Sequence, residues 1–382
     1  MTGALSETSQ EVGTRDAVLF RPLQVGRIFL KHRVIMAPLT RSRSIQPDSI
    51  PGDLMARYYT QRASDGGLII AEATNISLTS RGWLGAPGLY TDEQVEGWGK
   101  IVRGVHAKGG HIFAQLWHTG RSSHVSMTGG AVPVSASVDP DYWAHPSHLV
   151  SIPGGWVQPS PHRALTVAEI GGIVHDYRRA AERAMEAGFE GVELHSANGY
   201  LIDQFLRGSA NLRDDRYGGS IANRIRLLSE VTGAVAGAIG ADRTGVRLSP
   251  NGDSQGVNDS DPEPLFAAAA DALSALGIAF LELREPPADG TRGRPDRPPV
   301  HPTIRKHFKG PLVLNSDFDG ARAQAALDRG DADAIAFGRG FLANPDLPYR
   351  LAKRLPLTPD DMATWYTQGA VGYTDYPTAA RV

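Results

Sequence analysis

The stretch "GVELHSANGYLIDQF" occupies residues 191–205 and combines a short apolar run with a dense group of polar side chains. Its first part, "GVEL", has the length and composition of a buried strand, and His195, Asn198 and Tyr200 follow directly. On the expectation of a helical turn, a histidine and an asparagine three residues apart point the same way. The stretch therefore predicts a strand that ends in hydrogen-bonding groups.

The same pattern recurs along the chain, as β-branched runs bounded by Gly, Pro or Asn that alternate with segments of helical spacing. The predicted strands are Val34–Leu39, Gly67–Thr74, His111–Trp117, Gly191–His195, Thr244–Pro250, Ala279–Glu285, Pro311–Asp317 and Ala334–Arg339. The predicted helices lie near residues 53–64, 92–107, 167–187, 221–239, 262–275, 302–308, 320–329 and 345–353. Eight such units predict a (β/α)8 TIM barrel of class α/β. A doubly wound sheet is the competing fold, but no G-x-G-x-x-G motif follows an early strand.

No linker or shift in composition divides the chain, so we expect residues 19–382 to form one domain behind a flexible N-terminal tail of residues 1–18. The longest irregular stretch, residues 118–165, follows the third predicted strand. A loop of this length in a compact domain is usually functional, and we interpret it as an extended lid.

Composition excludes several classes of function for this chain of 382 residues. It contains no cysteine, which removes disulfides, thiolate nucleophiles and Cys-ligated iron–sulfur clusters. The formal charge of −2, with basic residues dispersed, gives no reason to expect binding to nucleic acid or to a membrane. The polar first residues lack the apolar core of a signal peptide, which favours a cytoplasmic location. The oligomeric state is left open.

In a barrel, the carboxyl ends of the strands build the active site, so the polar residues there are candidates. Gln115 and Arg247 end otherwise apolar strands and need partners, because unpaired buried polar groups are costly. Two alternatives stand: a flat polar ligand, or structural pairing with an acid such as Glu72 or Glu193. Gly338–Arg339, together with the loop "NSDFDG" (315–320), stands where barrels bind phosphate.

His195 and Asn198 together offer two donors to one oxygen that gains negative charge, and Tyr200 offers a phenolic proton. The alternative is a structural histidine beside a turn-forming asparagine. A metal site is not expected, because His145 and His148 have no partner acids and no H-E-x-x-H motif occurs.

Nine segments of the sequence, taken in order along the chain, together match the motifs of a known protein family. They are "IMAPLTRSRS" (35–44), "AEATNIS" (71–77), "GAPGLYTDEQ" (85–94), "FAQLWHTGRSSH" (113–124), "GVELHSANGYLIDQFL" (191–206), "RDDRYGGSIANR" (213–224), "GVRLSPNG" (245–252), "AFGRGFLANPDLP" (336–348) and "GYTDYP" (372–377). This set resembles the Old Yellow Enzyme family of flavin-dependent ene-reductases over nearly the whole chain. The resemblance implies a barrel that binds FMN at its mouth and uses NAD(P)H as the reductant.

By matched position, the resemblance also implies roles for individual residues. The FMN-binding residues would be Pro38, Leu39, Thr40, Ala73, Gln115, Arg247, Ser316, Asp317, Gly338 and Arg339, the last four at the phosphate. His195 and Asn198 would hold the carbonyl or nitro oxygen of a small activated alkene, and Tyr200 would protonate its α-carbon after hydride reaches the β-carbon. Trp83, Trp117 and Tyr366 would shape the substrate pocket.

Three departures from the family pattern are visible. Trp83 stands where tyrosine is frequent, and "NSDF" replaces a glycine-rich phosphate turn. The third departure is the loop of residues 118–165, with Trp143 and Trp156, a lid of this chain's own that we expect to set substrate choice. Thr40 separates the chain from a branch that has cysteine there. Reduction of nitrate esters or nitroaromatics is the alternative on the same scaffold, and a flavin-free barrel lyase or isomerase acting on a phosphorylated substrate is the alternative from another class.

Overall fold

The computed structural model describes residues 17–252, 254–290, 295 and 297–380. The predicted N-terminal tail lies outside this range apart from Ala17 and Val18, and so do residues 291–294 and 296 of the basic segment "TRGRPDR" (291–297). No helix in the described ranges is both long enough and apolar enough for a bilayer crossing.

Eight parallel strands close into a barrel, which confirms the predicted fold. They are β1 (Val34–Met36), β2 (Leu68–Asn75), β3 (His111–Trp117), β4 (Gly191–His195), β5 (Thr244–Leu248), β6 (Phe280–Arg284), β7 (Leu312–Asn315) and β8 (Ala334–Phe337). Each strand pairs with the next in sequence, and β8 pairs with β1 to close the cylinder.

An outer layer of helices covers the strands. They are α1 (Asp53–Arg62), α2 (Asp92–His106), α3 (Val167–Ala187), α4 (Arg226–Ile239), α5 (Pro262–Leu276), α6 (His301–His307), α7 (Gly320–Arg329) and α8 (Leu347–Lys353). Their ends follow local chemistry: Thr166 and Glu169 form a capping box at the start of α3, and Gly188 ends it in a left-handed conformation. The apolar faces of the helices and strands form the main core between the two layers.

The amino ends of the strands are closed by an antiparallel hairpin, Leu23–Val25 with Ile28–Leu30, which sequence patterning did not predict. Val25, Ile28 and Leu30 pack against inward-facing side chains from several strands. The hairpin turns at Gly26, where φ is 53° and a Cβ would lie 2.0 Å from the Asp242 carbonyl oxygen. With this end sealed, access to the interior is from the carboxyl ends.

Short elements decorate the carboxyl-end loops. The lid contains a helix (Pro140–Ala144) and two strand pairs, Val134–Ser135 with Arg163–Ala164 and Val150–Ile152 with Gly155–Val157. The other short helices are Leu201–Leu206, Ile221–Arg224 and Arg339–Ala343, with 3-10 turns at Val18–Phe20, Leu78–Ser80, Ala241–Arg243 and Met362–Thr364. The residues predicted to be a lid are therefore ordered into small elements.

Candidate active site

A cavity of about 610 Å³ opens at the carboxyl ends of the strands. This volume is typical of a site for a small molecule or cofactor. Every residue that the sequence predicted for the site lines it: Pro38, Leu39, Thr40, Ala73, Trp83, Gln115, Trp117, His195, Asn198, Tyr200, Arg247, Ser316, Asp317, Gly338, Arg339 and Tyr366. The barrel therefore brings together groups that are more than 300 residues apart in the chain.

Gln115 and Arg247 sit in the wall of the cavity and already have partners within the barrel. Gln115 Nε2 donates to Glu193 Oε2 at 2.7 Å, and Arg247 Nη2 donates to Asn315 Oδ1 at 2.7 Å. Arg247 Nε also lies 2.9 Å from Glu282 Oε1, at ion-pair distance. Of the two alternatives left open by the sequence, pairing with an acid is therefore observed for Gln115, and the acid is Glu193. For Arg247 the acid is Glu282, a residue that the sequence analysis did not name.

Glu72, the other acid considered for these side chains, faces a different group of residues. It accepts hydrogen bonds from the Arg41 and Ser42 backbone N–H groups at 3.1 and 3.3 Å and from the Tyr59 hydroxyl at 3.1 Å. Burial raises its pKa, while these donors act in the opposite direction. Glu72 therefore fixes the loop after β1 and does not pair with Gln115 or Arg247.

His195 and Asn198 converge on the cavity, but not through the helical turn that their spacing suggested. His195 is the last residue of β4, and the following helix begins only at Leu201. Asn198 is in a left-handed conformation, with φ at 57°, which asparagine tolerates better than most residues. The prediction of a shared helical face was wrong because a left-handed turn, not a helix, aligns the two side chains.

Backbone hydrogen bonds hold this turn in place. The Asn198 N–H donates to Ser249 Oγ at 2.7 Å, and the Gly199 N–H donates to Asp203 Oδ2 at 2.9 Å. Asp203 is buried and forms an ion pair with Arg207 at 2.9 Å. The orientation of Asn198 therefore depends on a buried network that leaves its side chain available to the cavity.

The rings of Trp117, His195 and Tyr200 pack against one another in the cavity wall. The Trp117 ring stacks on the His195 ring at 6.3 Å between centroids, and the Tyr200 ring meets His195 edge-on at 5.0 Å and Trp117 edge-on at 4.8 Å. Burial, reinforced by the nearby Arg247 charge, holds the pKa of His195 well below its usual range, so the imidazole is neutral at pH 7. Burial likewise raises the pKa of Tyr200, so its hydroxyl keeps its proton.

The far end of the cavity has the features of an anion site. Ser316 and Asp317 both have positive φ, 140° and 49°, a backbone conformation that residues other than glycine rarely adopt and that often occurs at functional sites. Arg339 follows Gly338 at the end of β8 and forms an ion pair with Asp317 at 2.5 Å. The Asp317 side chain thus faces the guanidinium, and its backbone N–H is the group suited to a phosphate.

The residues present fit FMN. His195 and Asn198 both line the cavity, and two of their polar atoms, His195 Nδ1 and Asn198 Oδ1, are buried without a hydrogen-bond partner in the described protein, so the donors that remain for a ligand are the imidazole and amide N–H groups. The pair Gln115 and Arg247 suits the polar edge of a flat heterocycle, and the Ser316–Asp317 backbone with Arg339 suits a phosphate. One cavity therefore offers a ring-binding wall, a phosphate end and a separate group of donors.

Aromatic side chains form the rim of the cavity. Trp83 meets Trp156 of the lid edge-on at 5.1 Å and Tyr366 at 5.3 Å. Trp143, the other lid tryptophan, packs instead against His162 at 4.9 Å, and it does not line the cavity. Of the two lid tryptophans, Trp156 contacts the rim and Trp143 does not.

Several lining residues escaped the sequence analysis. Arg284 ends β6, so the strand-end rule that found the others applies to it equally. Trp365 and residues 357–360 come from the C-terminal segment, whose sequence has no periodic pattern. In the described part of the chain no cluster of three potential metal ligands occurs.

Comparison with known proteins gives a consistent result. The model of the NADH:flavin oxidoreductase / NADH oxidase family matches residues 18–358. A putative 12-oxophytodienoate reductase 11 from Oryza sativa subsp. japonica is 43% identical over 366 residues, which cover 94% of this chain and 97% of that protein. The flavin oxidoreductase hxnT from Emericella nidulans is 40% identical over 384 residues, covering 94% of this chain and 97% of its own length.

Solved structures agree in fold and in sequence. An old yellow enzyme homologue from Zymomonas mobilis superposes with a TM-score of 0.90 at 52% identity, covering 94% of this chain and 99% of the other. Morphinone reductase in complex with tetrahydroNAD superposes with a TM-score of 0.88 at 47% identity, covering 95% and 98%. Both structures have TM-scores near 0.9 and cover at least 94% of this chain, so the likeness extends through the whole barrel.

Proposed function

This chain belongs to the NADH:flavin oxidoreductase / NADH oxidase family, and on that premise we propose that it reduces C=C bonds conjugated to a carbonyl or nitro group. FMN is the bound cofactor of this family and NAD(P)H its reductant. The observation that supports the reaction best is the convergence of His195, Asn198 and Tyr200 on the cavity that also contains Gln115 and Arg247.

When bound, FMN accepts hydride from the nicotinamide and donates it to the β-carbon of the alkene. The FMN-binding residues in this proposal are Pro38, Leu39, Thr40, Ala73, Gln115, Arg247, Ser316, Asp317, Gly338 and Arg339, all of which line the cavity. Gln115 and Arg247 would bind the polar edge of the ring, and Arg339 with the Ser316–Asp317 backbone would bind the phosphate.

His195 and Asn198 bind the oxygen of the conjugated carbonyl or nitro group. The neutral imidazole and the amide each supply an N–H donor, and negative charge grows on the substrate oxygen as the β-carbon is reduced. Donors fixed in a buried site stabilise that charge without reorganising. The left-handed turn at Asn198 is the structural feature that fixes one of them.

Tyr200 delivers the proton to the α-carbon. Its hydroxyl is protonated because burial raises its pKa, and it lines the same cavity as the proposed donors. The nicotinamide carboxamide can use the same two donors, so reductant and alkene would bind one after the other in a ping-pong cycle. Trp83, Trp117 and Tyr366 would then limit the shape of both ligands.

The test is the double variant His195→Ala/Asn198→Ala. Removal of one such donor typically costs about 3–4 kcal/mol in the transition state, so we expect the rate of alkene reduction to fall at least a hundredfold. Phenols used as test ligands should also bind more weakly, because their oxygen would lose the same two donors. FMN retention, measured from the visible absorption after gel filtration, should change little, because neither side chain is assigned to the cofactor.

The matched control is His175→Ala, which removes an exposed imidazole on α3 that does not line the cavity. It should behave as the wild type in every assay. Full alkene-reducing activity in the double variant would refute the proposed substrate-binding role. Loss of FMN together with activity would show that the two side chains hold the cofactor instead.

A further inference from the structure

Two carboxyl groups are buried inside the barrel next to the residues proposed to bind the flavin ring. Glu193 lies on β4 level with Gln115 on β3, and Glu282 lies on β6 level with Arg247 on β5. Both glutamates are 0% exposed. The reaction proposed above does not use either of them, yet burying two acids beside a cofactor site requires a compensating reason.

The contacts of the two acids account for only part of their hydrogen-bonding capacity. Glu193 Oε2 accepts from Gln115 and Glu282 Oε1 lies at ion-pair distance from Arg247 Nε, but Glu193 Oε1 and Glu282 Oε2 have no hydrogen-bond donor in the described protein. The two carboxyl groups are close enough to shift each other's pKa, and a hydrogen bond between them would require that one of them is protonated. One proton shared between the acids therefore satisfies the oxygens that otherwise lack donors.

The charges around the pair balance when it holds that single proton. Arg247 is the cation in contact with it, 2.9 Å from Glu282. Other ionisable groups near Arg247 are His195 and Tyr200, which are neutral at pH 7 because burial lowers the pKa of the one and raises that of the other, and Arg284, a cation that faces the Asp317 carboxylate. One carboxylate and one guanidinium then leave the buried layer close to neutral.

We propose that Glu193 and Glu282 form a proton reservoir for the bound flavin. The pair holds one proton while the cofactor is oxidised and takes up a second from solvent when the cofactor is reduced. The inference rests on the proposed placement of the flavin ring against Gln115 and Arg247. Two electrons and one proton arrive as hydride from the nicotinamide, and the pair binds the second proton. When the alkene removes the hydride, the pair releases that proton again.

The physical reason is the cost of an uncompensated charge in a buried site. Negative charge that arrives at Gln115 and Arg247 competes with Glu282 for the same guanidinium. Two negative groups cannot both be stabilised by one cation at low dielectric, so the acid pair is pushed toward its protonated form. A pair that already shares a proton titrates as one unit and responds to such a change.

The test is the number of protons taken up per two electrons, measured as the slope of the flavin midpoint potential against pH. In the wild-type holoenzyme we expect two protons per two electrons at neutral pH, with a reduced-flavin spectrum showing that the second proton is not on the ring. The double variant Glu193→Gln/Glu282→Gln should take up only one. Its potential should also shift to more positive values, because Arg247 then faces the flavin without a competing carboxylate.

The matched control is Glu190→Gln, which removes a carboxyl group just before β4 that pairs with His106 outside the cavity. It should keep the wild-type slope. A one-proton slope in the wild type, or a ring-protonated reduced spectrum, would overturn the proposal even if the double variant did not fold. A two-proton slope in the double variant would also overturn it and would assign the second proton to another group.

This measurement separates failure of the inference from failure of the proposed function. The slope is obtained from chemical reduction of the holoenzyme and does not depend on which substrate oxidises it. Normal FMN binding and alkene reduction with an unchanged slope would overturn the reservoir alone. Failure of the protein to bind FMN would overturn the proposed function and, with it, the reservoir.

Discussion

Tyr200 is the residue on which the oxidative half of the proposed cycle depends. In the Tyr200→Phe variant, reduction of FMN by NAD(P)H should proceed at the wild-type rate, because that step needs no proton from the phenol. Reduction of alkenes of low reactivity should slow by roughly 10²–10⁴-fold, the usual effect of losing a general acid. Stopped-flow measurement of the two half-reactions separates these effects. An unchanged oxidative rate would assign the proton to water or to another residue.

At the residue scale, sequence reasoning found the groups that line the cavity because strand ends are readable from sequence. Gln115, His195 and Arg247 each interrupt an apolar strand, and the barrel rule says where such residues meet. The same reasoning could not find Glu282 as the partner of Arg247. That pairing depends on the register of β5 against β6, which no single sequence specifies. It also missed the left-handed turn at Asn198, because the conformation follows from hydrogen bonds to distant Ser249 and to Asp203.

At the scale of elements, the lid contributes one aromatic side chain to the rim. Trp156 lies in the lid strand Gly155–Val157 and meets both Trp83 and Tyr366 edge-on, the latter at 6.1 Å. Because the three rings form one cluster, the lid and the C-terminal segment jointly limit the width of the entrance. The sequence indicated a lid, but its contact with residue 366 required the folded chain.

Truncation of that side chain should change substrate selection without changing the chemistry. In Trp156→Ala we expect the KM for bulky enones to change several-fold relative to that for small ones, while the rate of FMN reduction stays the same. The control is Trp143→Ala in the same lid, whose ring packs on His162 away from the cavity. Identical KM ratios in Trp156→Ala and the wild type would remove the lid from substrate selection.

The C-terminal segment is the element that sequence patterning described least well. It is attached by buried arginines of the loop after β1: Arg41 Nε donates to the Trp365 carbonyl oxygen at 3.1 Å, and Arg43 Nη1 donates to the same oxygen at 2.9 Å. Arg43 also contacts the Gly369 and Thr364 carbonyl oxygens. Such contacts between distant parts of the chain produce no periodic pattern in the sequence. All eight strands and the helices between them do produce one, and they were predicted with small shifts at their ends.

At the scale of the whole molecule, buried neutral histidines should make stability depend on pH. Burial lowers the pKa of His32 to about 4, of His118 to about 3 and of His162 to about 4, and it lowers that of His195 as well. In the unfolded chain these imidazoles bind protons below about pH 6.5, whereas the folded protein keeps them neutral. The free energy of unfolding should therefore fall as the pH falls from about 6.5 toward 4.

Each such imidazole contributes up to about 1.4 kcal/mol per pH unit in that window, offset in part by buried carboxyl groups whose raised pKa values act in the opposite direction. Urea unfolding at a series of pH values measures the slope. His118→Asn should lower the slope by about one proton, since an asparagine oxygen can accept the Gly120 N–H that His118 Nδ1 accepts at 3.0 Å. Equal slopes in the two proteins would show that His118 is protonated in the folded state.

The account as a whole holds that one cavity serves both half-reactions, with FMN as the carrier of hydride between them. The most direct test is anaerobic stopped-flow absorbance of the wild-type holoenzyme, mixed first with one equivalent of NADPH or NADH and then with an enone or a nitroalkene. We expect the flavin absorbance to bleach in the first step and to return in the second, with one equivalent of saturated product. A flavin that bleaches but is not reoxidised by any member of either alkene class would contradict the account.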